Sequence, residues 1–360
     1  MGEPLNVGVV GLGKISAAYL TTLARLPELQ VTALADRDPA RADAAVALAP
    51  DARAVPVEEL LAADDVDLVL NLTVPAAHAE VATAALAAGK HVYGEKPLAM
   101  TVAEARGVLA GADGRRVGCA PDTVLGTGTQ TAAAAVRDGR IGAPIAATAV
   151  FSSAGPEVWH PDPEFYYLAG GGPLLDMGPY YFTSLIHLLG PVERVMGAAT
   201  RSRPTRTIGK GYRAGTEFPV EVDTHVTGVL VHTSGAMTTI TTSFDVVGSD
   251  QPRIEVHGAD GSLSVPDPNR FDGDVKLRRR GDDGWTVLEP AAGYRDAARG
   301  VGVLDLADAL AAGRPHRASA EVALHVLDVM QTLLEAGHAQ ASLPVTTRCE
   351  QPEPVPLTPL

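Results

Sequence analysis

The first third of the chain alternates two patterns of apolar positions. Continuous apolar runs rich in β-branched residues occur at Leu5–Val10, Leu29–Ala35, Val66–Leu72, His91–Gly94 and Arg116–Ala120. Between them, Lys14–Leu26, Ala40–Ala49, Val57–Ala62, Ala76–Ala88 and Thr101–Ala110 read as helices. In Lys14–Leu26 the apolar positions Ile15, Ala18, Tyr19, Leu23 and Leu26 fall at helical spacing. A continuous apolar run suits a strand covered on both faces, and apolar residues recurring every three or four positions mark one helix face. Strand–helix alternation predicts a parallel sheet with helices on both sides, an α/β domain over residues 1–122. Beyond it the pattern changes. Gly126–Val136 and Pro173–Leu189 read as helices and Ile145–Ser152 as a strand, and strands with turns prevail from Arg194 onward. Ser234-Gly235 and Gly258–Gly261 separate Val222–His232, Ala236–Val246, Arg253–His257 and Ser262–Val265 as hairpins do, which predicts antiparallel pairing. With terminal helices at Leu304–Ala312 and Glu321–Ala336, residues 123–360 form a second, α+β domain.

The strand Leu5–Val10 runs into Gly11-Leu12-Gly13 and then a helix. That context makes a G-x-G-x-x-S pattern a candidate dinucleotide site. Gly11 permits the sharp turn, and Gly13 lets backbone approach a pyrophosphate. The helix start at Lys14 and Ile15 offers free N–H groups, and Ser16 is small enough to pack close to the strand. The other reading is an ordinary strand-to-helix turn. Asp36 ends the second strand, near where a Rossmann unit places a carboxylate on the adenosine ribose. It favours NAD; Arg37 beside it keeps NADP open, and an acid at a strand end is also a common turn feature. Thr73-Val74-Pro75 and Glu95-Lys96-Pro97 leave two further strands at the same edge. Thr73, Pro75, His78, Glu95 and Lys96 are therefore candidate cofactor neighbours, with helix capping the alternative for His78. Lysine occurs only at positions 14, 90, 96, 210 and 276, so Lys96 stands out at the crevice.

Length fits two domains. With 29 basic and 43 acidic residues the formal charge is −14, and no basic patch offsets it, which argues against nucleic acid as a partner. No apolar run reaches membrane-spanning length, and the first strand begins too early to leave room for a signal peptide. Cys119 and Cys349 make no disulfide framework, and no metal-ligand spacing is present. A cytoplasmic enzyme is expected.

Taken in order, Gly-Leu-Gly-Lys-Ile-Ser, Thr73-Val74-Pro75 with His78, and Glu95-Lys96-Pro97 resemble the Gfo/Idh/MocA family of glucose–fructose oxidoreductase and inositol dehydrogenase. Gly170-Gly171-Gly172-Pro173-Leu174-Leu175-Asp176-Met177-Gly178-Pro179-Tyr180 is similar to the family's glycine-rich run into a helix bearing D-x-G-x-H, with tyrosine in the histidine place. The resemblance implies a Rossmann domain followed by a substrate and oligomerisation domain on a large, open, mainly antiparallel sheet. It implies nicotinamide-dependent oxidation or reduction of a sugar or polyol, and Lys96, Asp176 and Tyr180 as the catalytic and substrate-binding residues. Pro121-Asp122 departs from the family's Asn-Arg pair, and there is no exported N-terminal arm. A homodimer or homotetramer is expected by the same analogy.

Asp176, Tyr180, Ser184 and His187 share one helical face, with Tyr181 rotated off it; a merely solvated face is the other reading. His187 is expected to be structural, and so are His225, His232 and His257. Trp159 and His160, in a proline-rich loop, are candidates for one wall of a sugar site or else a packed surface loop. A tyrosine ordinarily titrates near about 10, so a phenolate base needs a cation such as Lys96 beside it. His160, with its lower ordinary value, is the rival base. Two other functions fit the same residues: an NAD-dependent lyase or glycosidase working through transient oxidation, and a non-catalytic sugar or dinucleotide sensor. Retention of Lys96 weighs against the sensor.

Overall fold

A computed structural model describes residues 3–360. The chain forms two units, each discontinuous in sequence. One takes the chain up to Gly126 together with Tyr294–Leu327 and Val355–Leu360; the other takes Thr127–Gly293 and Asp328–Pro354. A single boundary at residue 122 therefore does not describe it.

In the first unit β1 (Leu5–Val10), β2 (Leu29–Ala35), β3 (Arg53–Ala54), β4 (Leu68–Asn71), β5 (His91–Gly94) and β6 (Val117–Cys119) form one parallel sheet, ordered β3-β2-β1-β4-β5-β6. Helices α1 (Ser16–Leu23), α2 (Pro39–Ala45), α3 (Val57–Ala62), α4 (His78–Ala87) and α5 (Val102–Ala110) follow the strands. Val7, Val9, Leu34, Leu68, Val69 and Leu70 are fully buried, as continuous apolar strands between helix layers should be. Strand order reverses between β1 and β4, so the chain leaves these two strands in opposite directions and opens a crevice at their carboxyl ends.

The second unit holds α6 (Thr127–Arg137), β7 (Pro144–Ser152), α7 (Pro173–Leu189), β8 (Val192–Thr200), β9 (Thr205–Thr207), β10 (Glu217–Pro219), β11 (His225–His232) and β12 (Met237–Ser243). β13 (Ile254–Gly258), β14 (Gly261–Val265), β15 (Val275–Arg279) and β16 (Thr286–Leu288) complete its run of strands. Its large sheet is ordered β16-β15-β14-β13-β7-β12-β11-β8-β18, where β18 is Leu343–Pro344. Pairing is antiparallel except between β12 and β7, where Met237 aligns with Ala146 in parallel. The hairpin turns predicted the antiparallel neighbours. They carried no information on β7, which enters the sheet far earlier in the chain.

α7 packs on β7, β11 and β12. Beside it runs α9 (Ala320–Ala339), whose Leu333 occupies space that a Cβ on Gly197 or Gly228 would fill. The opposite sheet face carries the aligned row Thr148, Thr239, Val229 and Met196.

Back in the first unit, β17 (Tyr294–Arg295) pairs with β19 (Thr358–Pro359), Tyr294 bridges Gly126, and Ser319 bridges Gly118. These non-local pairs tie helix α8 (Val301–Ala312) to the parallel sheet, which explains the discontinuity. Among the described residues no helix is long and apolar enough to cross a membrane.

Candidate active site

The glycine turn sits at the strand-order reversal. Gly11 has φ of +93°, and a Cβ there would lie 2.6 Å from the backbone of Leu72 and Thr73, so glycine is required twice over. Gly13 is different: a Cβ there would meet nothing within 4 Å, so its backbone borders open space. Ser16 is buried and its Oγ donates to the Gly13 carbonyl at 2.7 Å. The N–H groups of Gly13, Lys14 and Ile15 have no acceptor among the described residues, and α1 begins immediately after them without a side-chain cap. Open space, unpartnered donors and a helix N-terminus are what a pyrophosphate requires.

Asp36 is held in this turn. Its Oδ2 accepts the Leu12 N–H at 2.6 Å, and its Oδ1 accepts the Asp38 N–H at 2.9 Å. Each carboxylate oxygen retains a further lone pair for a ribose hydroxyl. Arg37 is exposed next to it.

The other two turns are locked to each other. Asn71, buried at the end of β4, accepts from Thr73 N–H at 3.3 Å and from Thr73 Oγ1 at 2.6 Å. Its amide donates to the His78 carbonyl at 3.0 Å. The His78 ring is 3% exposed and lies against two carbonyls, Pro97 at 2.6 Å and Thr73 at 3.0 Å. His78 thus neither caps α4 with its ring nor turns a ring nitrogen outward; it staples the Thr73 turn to the Lys96-Pro97 turn. Pro75 opens a short 3-10 turn ahead of α4.

Glu95 is likewise used internally. Its Oε1 accepts the Tyr19 hydroxyl at 2.7 Å and its Oε2 accepts the Lys96 N–H at 3.0 Å. Burial, then the Glu95 charge, pushes the Tyr19 phenol well above its ordinary value, which keeps it a donor. The result is a Lys96 backbone fixed through Glu95 to α1, with Lys96 itself half-buried. Lys90, by contrast, is buried and donates to the Ala63 carbonyl at 2.6 Å, a structural use.

Asp122, where the family pattern is broken, is fully buried. Its Oδ2 accepts the N–H of Gly300 at 2.7 Å and of Gly302 at 3.2 Å, capping α8 from outside the helix. Burial pushes its carboxyl up to about 6, against the opposing pull of Arg299 and the two N–H donors.

In the second unit Gly172, with φ of +92°, turns the chain into α7, and its carbonyl receives the Asp176 N–H at 3.0 Å. Asp176 is half-buried in the first turn and Tyr180 is 6% exposed one turn on. Further along the same face Ser184 meets Thr129 at 3.5 Å, and the His187 Nδ1 meets Gln130 at 3.3 Å, both on α6. The face thus buries its far end at Ser184 and His187, while Asp176 at its amino-terminal end stays half-buried.

His225, His232 and His257 each bond a neighbouring serine, threonine or backbone carbonyl, as satisfied sheet histidines do.

Trp159 is 53% exposed and Phe165 55%, with His160 ringed edge-on by Trp159, Phe165 and Tyr166 at centroid distances of 5.4, 5.4 and 5.7 Å. His160 Nδ1 accepts the Asp162 N–H at 3.0 Å. A neutral ring accepting at Nδ1 carries its proton on Nε2, which leaves that nitrogen as the ring's donor.

Sequence patterns missed Asn71, which reads as part of an apolar run, and the buried side of the Trp159 loop. A polar residue closing an otherwise apolar strand was the available signal for the first.

Comparison with known proteins follows this division. The family described as "Oxidoreductase family, NAD-binding Rossmann fold" matches residues 5–122, and "GFO/IDH/MocA C-terminal domain" matches residues 129–264. A 1,5-anhydro-D-fructose reductase of Ensifer adhaerens is 34% identical over 257 residues, 67% of this chain and 70% of that protein. A dTDP-3,4-didehydro-2,6-dideoxy-alpha-D-glucose 3-reductase of Streptomyces antibioticus is 30% identical over 277 residues, 73% of this chain and 83% of that one. An NAD binding oxidoreductase from Klebsiella pneumoniae of known structure shares the fold, with a TM-score of 0.84 at 23% identity over 96% of this chain and 100% of that one.

Proposed function

The chain belongs to the GFO/IDH/MocA family of NAD-binding oxidoreductases, and from that premise we propose that it interconverts a carbinol and a carbonyl on a sugar or polyol. The named substrates of the two relatives are sugar derivatives, and that class is carried over here. When bound, the nicotinamide supplies the hydride acceptor or donor. The observation that carries the reading is the crevice itself: unpartnered N–H groups at Gly13–Ile15, an oriented Asp36, and Lys96 fixed at the same sheet edge.

Each residue then has a task. Gly13, Lys14 and Ile15 bind the pyrophosphate through backbone N–H, and Asp36 accepts from the ribose hydroxyls, giving NAD its preference over NADP. Oxidising a carbinol removes a proton from oxygen, so that oxygen needs a donor to steady its developing charge and an acceptor for its proton. Lys96 takes the first role and Tyr180, as the phenolate, the second, becoming a phenol as the hydride leaves. Asp176 accepts from a neighbouring substrate hydroxyl, while Trp159 offers an aromatic face and His160 an Nε2–H donor. Glu95, His78 and Asn71 are positioning residues.

The test is turnover followed by nicotinamide absorbance, with D-glucose, D-xylose and myo-inositol in oxidation and 1,5-anhydro-D-fructose in reduction, each with both cofactors. Turnover of a member of this set supports the reading. NADH binding without turnover of any polyol or keto-sugar favours the sensor and overturns it.

The open sheet face supports a homodimer. Met196 and Met237 are 39% and 52% exposed on it, among threonines and valines, with Arg194 aligned through Val231 with Met237 and Glu255 aligned with Thr148 at its margins. Met196→Glu should yield monomers in analytical ultracentrifugation if this face is the interface. A cytoplasmic setting suits two cysteines, Cys119 and Cys349, that form no disulfide.

A further inference from the structure

The hairpin β9–β10 runs along the loop that carries Trp159 and His160. On the buried side, Arg206 is 4% exposed and donates to Glu157 at 2.7 Å and to Asp245, with its guanidinium 5.4 Å over the Tyr167 ring. Tyr167 donates to the other oxygen of Glu157, and the Gly209 N–H reaches the Glu157 carbonyl at 2.8 Å. On the outer side, Arg213 donates to Asp162 at 3.1 Å and to Glu164, and Tyr212 donates to Asp162 at 2.9 Å. Gly211, with φ of +89°, lies so close to Pro161 that a Cβ would be 2.7 Å away. The contacts fall on Glu157 before Trp159-His160 and on Pro161, Asp162 and Glu164 after them. Two polar anchors bracket the aromatic pair.

We propose that this hairpin sets the shape of the substrate wall, with Arg206 and Arg213 as positioning residues for Trp159 and His160, so that it governs sugar affinity and not the chemical step. The proposal rests on the reading of Trp159 and His160 as a substrate wall. Lys96, Asp176 and Tyr180 lie on neither the hairpin nor the loop, so loosening the bracket lowers the fraction of enzyme with a formed wall and leaves the proton acceptor in place. Exposed ion pairs such as those of Arg213 shift an equilibrium by roughly 1.5- to fivefold each. Losing both shifts the wall's equilibrium by about two- to twenty-five-fold, and KM is expected to rise by up to that factor.

The experiment uses the full chain with Trp285→Phe, which leaves Trp159 as the one tryptophan of the two. Arg213→Ala should lower the fluorescence anisotropy of Trp159 and raise KM for myo-inositol, D-glucose or 1,5-anhydro-D-fructose, whichever turns over, with kcat within twofold. Arg213→Lys should restore part of both. Arg206→Lys keeps the cation but not the fork that reaches two carboxylates, and should raise KM further; Arg206→Ala strands two carboxylates and is expected not to fold. Trp159→Ala, in the otherwise native chain, separates the two failures. If it raises KM while Arg213→Ala changes neither anisotropy nor KM, the hairpin does not position the wall. A Trp159→Ala variant with unchanged KM removes the wall itself, and the proposal falls with it.

Discussion

Asp36→Asn isolates one charge at the cofactor crevice. The carboxylate accepts from Leu12 and Asp38 through separate oxygens; the amide has one oxygen, which keeps the shorter bond from Leu12 and gives up that from an exposed turn. The glycine turn therefore stays anchored while the charge is lost. Replacing a charged acceptor to the ribose costs about 1.5–3 kcal/mol, which is roughly ten- to a hundredfold in the Kd for NADH. A 2′-phosphate meets the opposite effect. Unit like charges about 4 Å apart repel by about 4 kcal/mol at an effective dielectric near 20, so even strong screening leaves roughly a tenfold gain for NADPH once the charge is gone. Fluorescence titration of NADH and NADPH should show the ratio of their Kd values moving by about a hundredfold or more. Asp36→Ala, which also drops the Leu12 bond, should weaken both cofactors further. Wild-type protein that binds NADPH as tightly as NADH, or an Asn variant whose ratio stays within threefold, would refute the reasoning.

Lys96→Ala should leave NADH titration unchanged and lower kcat by about 10²–10⁴; near-normal turnover would remove Lys96 from the reaction. Tyr180→Phe should abolish oxidation at every pH, while His160→Gln should act on KM, and a silent Tyr180→Phe would reverse the two roles. Asp122 carries a sign that is unusual for a carboxylate. With a folded value near 6, above the unfolded one, it binds its proton more tightly when folded, so its contribution to stability falls as pH rises from about 4 through 6. Asp122→Asn still accepts an N–H at the start of α8 but does not titrate. Its stability relative to wild type should rise by up to roughly 3 kcal/mol between pH 4 and 7 in urea unfolding, and a pH-independent difference would contradict the assignment.

The legible parts of the chain were those in which local pattern and final environment agree. Leu5–Val10 is apolar throughout because both its faces are covered, and Gly11 had to be glycine because β4's exit crosses it. Pro173–Leu189 is bounded by Gly172 and Gly190, both at positive φ, so its ends were visible in sequence. What stayed hidden depends on partners distant in the chain. Asp122 reads as a loop acid until α8 arrives from beyond residue 300, and Arg206 reads as a surface charge until Glu157 and Asp245 close on it. The parallel pairing of β12 with β7 is of the same kind. For the proposed site, residue types and order pointed to Asp36, Lys96, Asp176 and Tyr180 and equally to Glu95 and His78; only the structure shows that Glu95 bonds Tyr19 and the Lys96 backbone and that His78 joins the Thr73 and Pro97 turns.

The most direct test of the account is a product balance. With the polyol that turns over, NADH and carbonyl product are quantified together in a single reaction mixture. The account predicts one NADH formed for each carbonyl, lost together in Lys96→Ala. Product accumulating without net NADH, with the cofactor needed only in trace, would contradict it and identify an elimination or hydrolysis that regenerates its own oxidant.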